Sequence, residues 1–372
     1  MNNSLTIIEP FHHYEVLHSL LRMVIATEES ATVITNEFCK KHIQLGDSPA
    51  ITWLVAPSTE EVIQQQRALL QKTSMLIFTT IDPYSAFWTW RPSRRKVAAY
   101  IHNAHSFFDL LEYSIPDFLY RIKNWSHVVR GDYQRQKEIL AQLTYVLVPD
   151  QRIGDHLKSK VAAKFRKRIK VLPFAFPEFN PKIHLNDPIQ ITVPGTISNQ
   201  LRDYKILLAC LPKVDQIIKI PVQVNLLGRP KATKIYSDFK KLRLNYIKIK
   251  LYDKYVSPES FEHQMRATDF LLLPIQEKVI YKAYYEYRGK SSVSGNINDI
   301  TKYALPAILP DFYPLDNSLE EWVIRYSDEK ELADILIRWI SNQAFDEIKR
   351  EKLIYLKSYQ EKILQDFKDL FK

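Results

Sequence analysis

A chain of 372 residues is too long for one hydrophobic core and predicts two domains. Hydrophobic residues make up 46% of it and no low-complexity tract or internal repeat is present, which is ample for folded globular structure and excludes a disordered chain. The formal net charge of +10 favours anionic partners: nucleotides, nucleic acid or an anionic membrane surface.

The chain begins MNNSLTIIEP, without the basic segment and apolar run of a signal peptide. Leu5–Ile8 is a short strand, broken by Glu9, Pro10, Phe11, His12 and His13. Tyr14 to Ala26 has helical periodicity, with Val16, Leu17, Leu20, Leu21 and Val24 on one face. Strands follow at Thr32–Thr35, Ile51–Val55, Met75–Phe78 and Val97–Ile101, with a polar helix over Thr59–Lys72. Alternation of this kind predicts a parallel sheet covered on both faces, with ligands beyond the carboxyl ends of its strands. Two polar clusters fall at such ends: Glu9, His12, His13 and Glu15, and then His102, Asn103 and His105. Helix caps and loop histidines are the plain reading and a cleft role the sharper one. Zinc is a third, but the spacings match no closed structural site.

Residues 106–140 mix Phe107, Phe108, Leu110, Leu111, Ile115, Phe118, Leu119, Tyr120 and Trp125 with Arg121, Lys123 and Arg130. Core-facing helix is the main expectation there, with an amphipathic, membrane-facing surface as the alternative. Leu143–Val148 is a further strand. A dense basic run follows: Lys158, Lys160, Lys164, Arg166, Lys167, Arg168 and Lys170. It reads as a solvated helix face or as a contact for anionic headgroups and lipid-linked phosphates. No named nucleic-acid motif is present, so no nucleic-acid partner is expected. Cys39 and Cys210 are far apart in apolar surroundings and read as buried thiols in a reducing cytosol. No apolar stretch is long enough to span a bilayer. The expected location is cytoplasmic, soluble or peripheral on the inner face of the membrane.

From Val171 to Pro181 three prolines fall within nine residues, which predicts a semi-rigid connector. A second alternation follows: strands at Ile189–Val193, Val222–Leu227, Ile247–Leu251 and Asp269–Pro274, and a helix opened by Arg202-Asp203-Tyr204. Ser257-Pro258-Glu259 opens another helix, with Ser as N-cap and Pro in first position. The most informative stretch is Tyr281–Pro310. The whole chain has seven glycines, and Gly289 and Gly295 both fall here, around Lys290 and Ser291–Ser294. A helix from Asn296 and a buried strand to Pro310 complete it. A small-residue loop that opens a helix suits an anion such as a diphosphate. With Gly195 and Gly228 these glycines are expected on one rim, facing one crevice.

The order of these motifs resembles the C-terminal domain of GT-B glycosyltransferases, most closely the large retaining, family 4-like group of bacterial polysaccharide synthesis. The resemblance runs from Ile189 to about Pro310, through PGTIS, RDYKILLACL, VNLLGRP, YVSPESFEHQMRATDFLLLPI and YEYRGKSSVSGNIND. EPFHHYE and IHNAH fit the same architecture in the first half. The resemblance implies an α/β fold of two Rossmann-like parallel-sheet domains facing a cleft. Residues 1–177 would bind acceptor, 178–345 the nucleotide-sugar donor, and 346–372 would form a helix crossing back to the first domain.

It further implies that Gly195 and Thr196 approach the diphosphate, neutralised by Arg202 with Lys205 and Lys290, and that Tyr255 and Val256 border the base. Glu286 matches the first of the family's two glutamates, near the donor sugar. The second, which holds the ribose, is replaced here by Ser294. Ser294, Gly295 and Asn296 would still present N–H groups to phosphate. His12, His13, His102 and Asn103 fall on the acceptor side, and His105 or His102 would orient the donor sugar or acceptor hydroxyl. The implied catalytic set is His105, Glu286, Arg202 and Lys290, with no metal and no cofactor. The implied partners are a nucleotide-sugar and a saccharide or lipid-linked acceptor. Two alternatives stand beside a transferase: a nucleotide-sugar epimerase of similar architecture, and a basic binding protein without activity, which the missing glutamate supports.

Overall fold

The computed structural model describes residues 4–9, 11–43, 45–46, 48–56, 61, 72–81, 96–108, 110–120, 122, 129, 132–178, 187–231 and 233–372. Most of the expected Thr59–Lys72 helix lies outside these residues, as do Pro10, Arg121, Lys123, Trp125, Arg130, Phe179, Asn180 and Pro181.

Fifteen strands are described. In the first half they are β1 (Leu5–Glu9), β2 (Ala31–Asn36), β3 (Ile51–Ala56), β4 (Met75–Phe78), β5 (Lys96–Tyr100), β6 (Tyr145–Val148) and β7 (Ile169–Val171). In the second they are β8 (Ile189–Pro194), β9 (Val222–Leu227), β10 (Ile247–Leu251), β11 (Phe270–Leu272), β12 (Lys278–Tyr281), β13 (Tyr284–Tyr287), β14 (Ala307–Pro310) and β15 (Val323–Tyr326). The first sheet runs β3-β2-β1-β4-β5-β6-β7 and the second β10-β9-β8-β11-β14-β15. Every pairing in both is parallel. Largely apolar runs explain this: β1, β4 and β14 are buried at every residue, as strands covered on both faces must be.

Both sheets reverse strand order once, between β1 and β4 and between β8 and β11. At each reversal the first strand feeds a helix, Tyr14–Ala26 after β1 and Tyr204–Ile217 after β8. A crevice opens beyond the strand ends at such a switch point. A core cluster spans both halves, joining Leu17, Leu20 and Val24 to Leu227, Met265, Leu273 and Ile300.

The last helix, Ala344–Asp369, starts on the second half, where Phe345 packs on Phe270 and Trp339. Leu356, Tyr359, Ile363 and Phe367 form one buried stripe and join the cluster of the first sheet. Lys96 Nζ donates to the Phe371 carbonyl at 2.9 Å, so the helix crosses back as expected.

Three expectations change. Val171 belongs to β7, so the proline-rich run begins inside a strand. Phe174, Ala175 and Phe176 that follow are buried. The stretch expected as core-facing helix buries Ile115, Ile139 and Leu140 but leaves Leu111, Phe118 and Leu119 exposed. The hairpin β12–β13, missed in sequence, is inserted between β11 and the helix Gly295–Tyr303.

Candidate functional site

The crevice holds a cavity of about 490 Å³ lined from both halves. The first half supplies Tyr14, Glu15, His18 and His42. The second supplies Gly195, Thr196, Gly228, Arg229, Lys231, Tyr255, Val256, Glu262, Arg266, Asp299, Lys302 and Tyr303. Phe174, Ala175 and Glu178 line it from the connection.

One end is built from the turns after β8 and β9. Gly195 has φ +89°, a conformation that side chains resist, and its N–H donates to the Leu227 carbonyl at 2.8 Å. A Cβ on Gly195 would lie 2.3 Å from Arg202 Nη2. A Cβ on Gly228 would lie 2.2 Å from the Gly195 carbonyl oxygen. Glycine at these positions lets the two turns and a guanidinium share one corner. Arg202 is 7% exposed. Its Nη1 donates to the Thr196 carbonyl at 2.8 Å and its Nη2 to Asn296 Oδ1 at 2.7 Å. Asn296 in turn donates to the Pro194 carbonyl at 2.7 Å, and Ser294 Oγ donates to its Oδ1 at 3.1 Å. Residues 94 and 102 positions apart in sequence are thus one hydrogen-bonded unit. Arg202 Nε has no hydrogen-bond partner.

The expected donor residues divide. Gly195, Thr196, Tyr255 and Val256 line the cavity, and Arg202, Ser294 and Asn296 brace it from behind. The Asn296 side chain is committed to that bracing. Gly295 opens its helix with nothing within 4 Å of a Cβ. Lys205 is exposed on its helix and does not line the cavity. Lys290 lies on another side, over the Tyr287 ring; burial depresses both His105 and His156, and the Lys290 charge adds to it. Gly289, at φ +76°, packs against Pro314, so the four glycines do not share one rim.

Glu286 is fully buried away from the cavity. Its carboxylate accepts from the Ser106 N–H at 2.8 Å and the His105 N–H at 3.3 Å, holding the start of the short Ala104–Phe107 helix. Burial raises its pKa, against hydrogen bonds from Ser291, Ser106 and His105. His105 is also fully buried. Its Nδ1 meets the Tyr285 carbonyl at 2.7 Å and must carry the proton, which leaves Nε2 to accept from His156 Nε2 at 2.9 Å. Tyr113 stacks flat on it at 3.6 Å. Asn103 joins this junction through a bridge to Ser292. His13 stacks on His102, and His102 on Phe174. His12 is exposed and meets Phe38 edge-on. None of His12, His13, His102 and His105 lines the cavity.

The sequence reading missed the charged opposite wall. Arg266 bridges Glu178 at 3.1 Å and Glu262 at 2.6 Å. Lys302 Nζ lies 3.1 Å from Glu262, and Tyr303 donates to Glu262 at 2.6 Å. Burial alone would raise Glu262, but Lys302, Tyr303 and Arg266 together hold it below the usual range. Asp299 faces Glu15 in this wall. Burial, then the Glu15 charge, pushes the Asp299 carboxyl well up. Such groups favour ligand hydroxyls, which can both donate and accept. The available signal was register: Asp299 lies one turn and a half along the helix that Ser294 caps.

Burial also depresses His102 and His18, each to about 3. The unfolded chain takes up these protons near pH 6.5, so stability drains away as pH falls from 6.5 towards 3. The raised carboxyls act in the opposite sense, gaining protons in the folded state first. They cancel in a comparison of wild type with His102→Phe. Between pH 6.5 and 5 the variant should gain about 2 kcal/mol relative to wild type in denaturant titrations. A difference that stays constant with pH would refute a neutral buried His102.

No family model and no curated protein matches the chain. Solved structures do. HepE from Anabaena, crystallised with UDP and glucose, superposes at a TM-score of 0.58 with 10% identity, over 99% of both chains. A variant of S. aureus TarM, in complex with Fondaparinux, alpha-GlcNAc-glycerol and UDP, gives 0.55 with 11% identity over 85% of this chain and 59% of its own. A putative UDP-N-acetylglucosamine 2-epimerase from Listeria monocytogenes gives 0.53 with 8% identity over 94% and 91%.

The chain has the GT-B fold.

It spans only 58% to 60% of the TarM and GtfA/B chains it matches, but nearly all of HepE. In GT-B terms the cavity lies in the cleft between the two sheets. Among the described residues no helix is long and apolar enough to cross a membrane.

Proposed function

We propose that the protein is a glycosyltransferase that moves a sugar from a nucleotide-sugar donor to a saccharide or lipid-linked saccharide acceptor. The observation that carries this reading is the Gly195–Arg202–Asn296 unit, in which the positive-φ turn at Gly195 and Thr196 lines one end of an interdomain cavity and a buried guanidinium stands directly behind it. UDP accompanies a sugar or saccharide in the HepE and TarM structures of the same fold. Arg202 would stabilise the leaving diphosphate, where negative charge develops. Arg229 and Lys231 add positive charge on the same side. Glu15 and Asp299 would take ligand hydroxyls, and this assignment gives the ribose a carboxyl despite Ser294. A retaining outcome, a metal-free reaction and a place in surface polysaccharide synthesis follow from the family 4-like resemblance.

The epimerase-like neighbour of nearly equal length favours one alternative, donor isomerisation without acceptor. A nucleotide-sugar panel separates the two. The true donor should stabilise the protein by about 2.7 kcal/mol at a hundred times its Kd. Turnover should require an acceptor and persist in chelator. A changed sugar released without acceptor would establish the epimerase. Turnover lost in chelator and restored by magnesium or manganese would overturn the metal-free reading.

A further inference from the structure

One cluster of aromatic and titratable side chains lies outside the cavity, where the two halves meet beside the Ala104–Phe107 helix. Tyr113 stacks on His105 with ring centroids 3.6 Å apart and planes at 3°. Tyr287, at the end of β13, stands edge-on to both, 6.2 Å from Tyr113 and 6.1 Å from His105. His156 comes from the helix Gln151–Lys160 and closes the cluster, 6.0 Å from Tyr113. Tyr113, Tyr287 and His156 are half-buried, so each keeps part of its surface open to solvent.

The hydrogen bonds fix the protons. His105 Nδ1–H donates to the Tyr285 carbonyl, so His105 Nε2 accepts and His156 Nε2 must donate. A neutral imidazole has one N–H. His156 Nδ1 is therefore left as an acceptor, and it has no partner among the described residues. Burial lowers His156 to about 4, and His105, Lys290 and Lys160 add to it, so the ring is neutral near pH 7. An unprotonated nitrogen gains nothing from a carboxylate or phosphate oxygen; it needs a ligand hydroxyl or N–H. Positive charge stands beside it. Lys160, one helical turn after His156, lies over the Tyr113 ring at 5.6 Å and pairs with Glu112 at 2.7 Å. Lys290 lies over the Tyr287 ring at 5.9 Å and makes no ion pair among the described residues. The turn at Gly289 holds it there, with the Lys290 N–H donating to the Tyr287 carbonyl at 3.1 Å.

We propose that this corner is a second binding site, for a saccharide that bears a carboxylate or phosphate group. The tyrosine rings offer negative faces to the C–H face of a pyranose. His156 Nδ1 accepts from a sugar hydroxyl, and Lys290 takes the anionic substituent. A saccharide with an anionic group supplies all three partners in one molecule. A nucleotide base suits the corner less, because it is flat and stacks between parallel rings, whereas Tyr113 and Tyr287 cross at 69°. In a transferase this saccharide is the acceptor; that assignment rests on the transferase reading, and the site itself does not.

The test is binding of the full chain, without donor, to an array of oligosaccharides that carry uronate groups or phosphate groups, beside their neutral counterparts. One acidic class should be retained, and the array shows which; the neutral members should not be. Lys290→Ala should weaken retention by about tenfold or more and erase the preference for acid, and Lys290→Arg should restore it. Lys290 is exposed, so the Ala variant should keep the wild-type Tm. His156→Phe, which keeps a ring but no acceptor, should weaken retention by about tenfold. Lys219→Ala, which removes a lysine lying 5.0 Å over Tyr246 in the second half, should not. Equal retention of acidic and neutral members would overturn the proposal, as would no retention at all or retention unchanged in Lys290→Ala. Loss of UDP binding in Tyr287→Ala would give the corner to the nucleotide and overturn it too. A wild type that retains acidic saccharide but binds no UDP, ADP or GDP would end the transferase reading and leave the site standing.

Discussion

Arg202→Ala is expected to lower kcat/KM for the donor by about ten- to a hundredfold or somewhat more. The guanidinium is held by the Thr196 carbonyl and Asn296 Oδ1, and its Nε is left without a partner. A charged hydrogen bond to a diphosphate contributes roughly 1.5–3 kcal/mol, which is one to two factors of ten in rate. Arg202→Lys keeps the charge but cannot span both partners, since an ammonium lacks the planar fork. It should recover only part of the loss. Asn296→Ala should reproduce a share of the defect by freeing the guanidinium, without touching ligand. Steady-state kinetics with the donor varied check all three. Wild-type kcat/KM in a folded Arg202→Ala protein would remove Arg202 from the site.

Gly228→Ala should be the most damaging added methyl among the described glycines. Its Cβ would stand 2.2 Å from the Gly195 carbonyl oxygen, 2.3 Å from Gly195 C and 2.8 Å from Thr196 N. All three are backbone atoms, so no rotamer change relieves the contact. The turn after β8 must move, and that turn carries the positive-φ Gly195 and the Thr196 carbonyl that orients Arg202. Overpacking of this kind costs about 3 kcal/mol or more, a fall in Tm of roughly 6–12 °C. Gly295→Ala is the matched control, because a Cβ there meets nothing within 4 Å. Differential scanning calorimetry of the two variants checks the contrast. Equal Tm values would mean that the two turns do not meet as described.

Much of the fold was legible because it rests on local patterns. β4, β9 and β10 have the bounds their apolar runs predict, and Ser257-Pro258 opens its helix with Ser257 accepting from the Ser260 N–H. The missed strands had weaker signals. β7 is three residues long and sits between a basic run and prolines, and β15 is only partly buried along most of its length. The hairpin β12–β13 is so rich in tyrosine and lysine that no alternation stands out.

The site was legible where glycine and charge mark special backbone. Gly195, Arg202 and Asn296 do meet. What failed was inference from proximity in sequence. Lys290 lies four residues from Ser294, yet it stands over the Tyr287 ring and does not line the cavity. Glu286 follows the motif but spends its carboxylate on the backbone of another segment. The Glu178–Arg266–Glu262–Lys302 wall joins three distant segments, so no local pattern announces it.

Calorimetric titration with UDP, ADP and GDP, using wild-type and Arg202→Ala protein, is the most direct test of the cavity's role. Saturable binding of at least one nucleoside diphosphate to the wild type is the expected result, weakened about tenfold or more by Arg202→Ala. Absence of binding to the wild type, or equal affinity in the two proteins, would contradict the account.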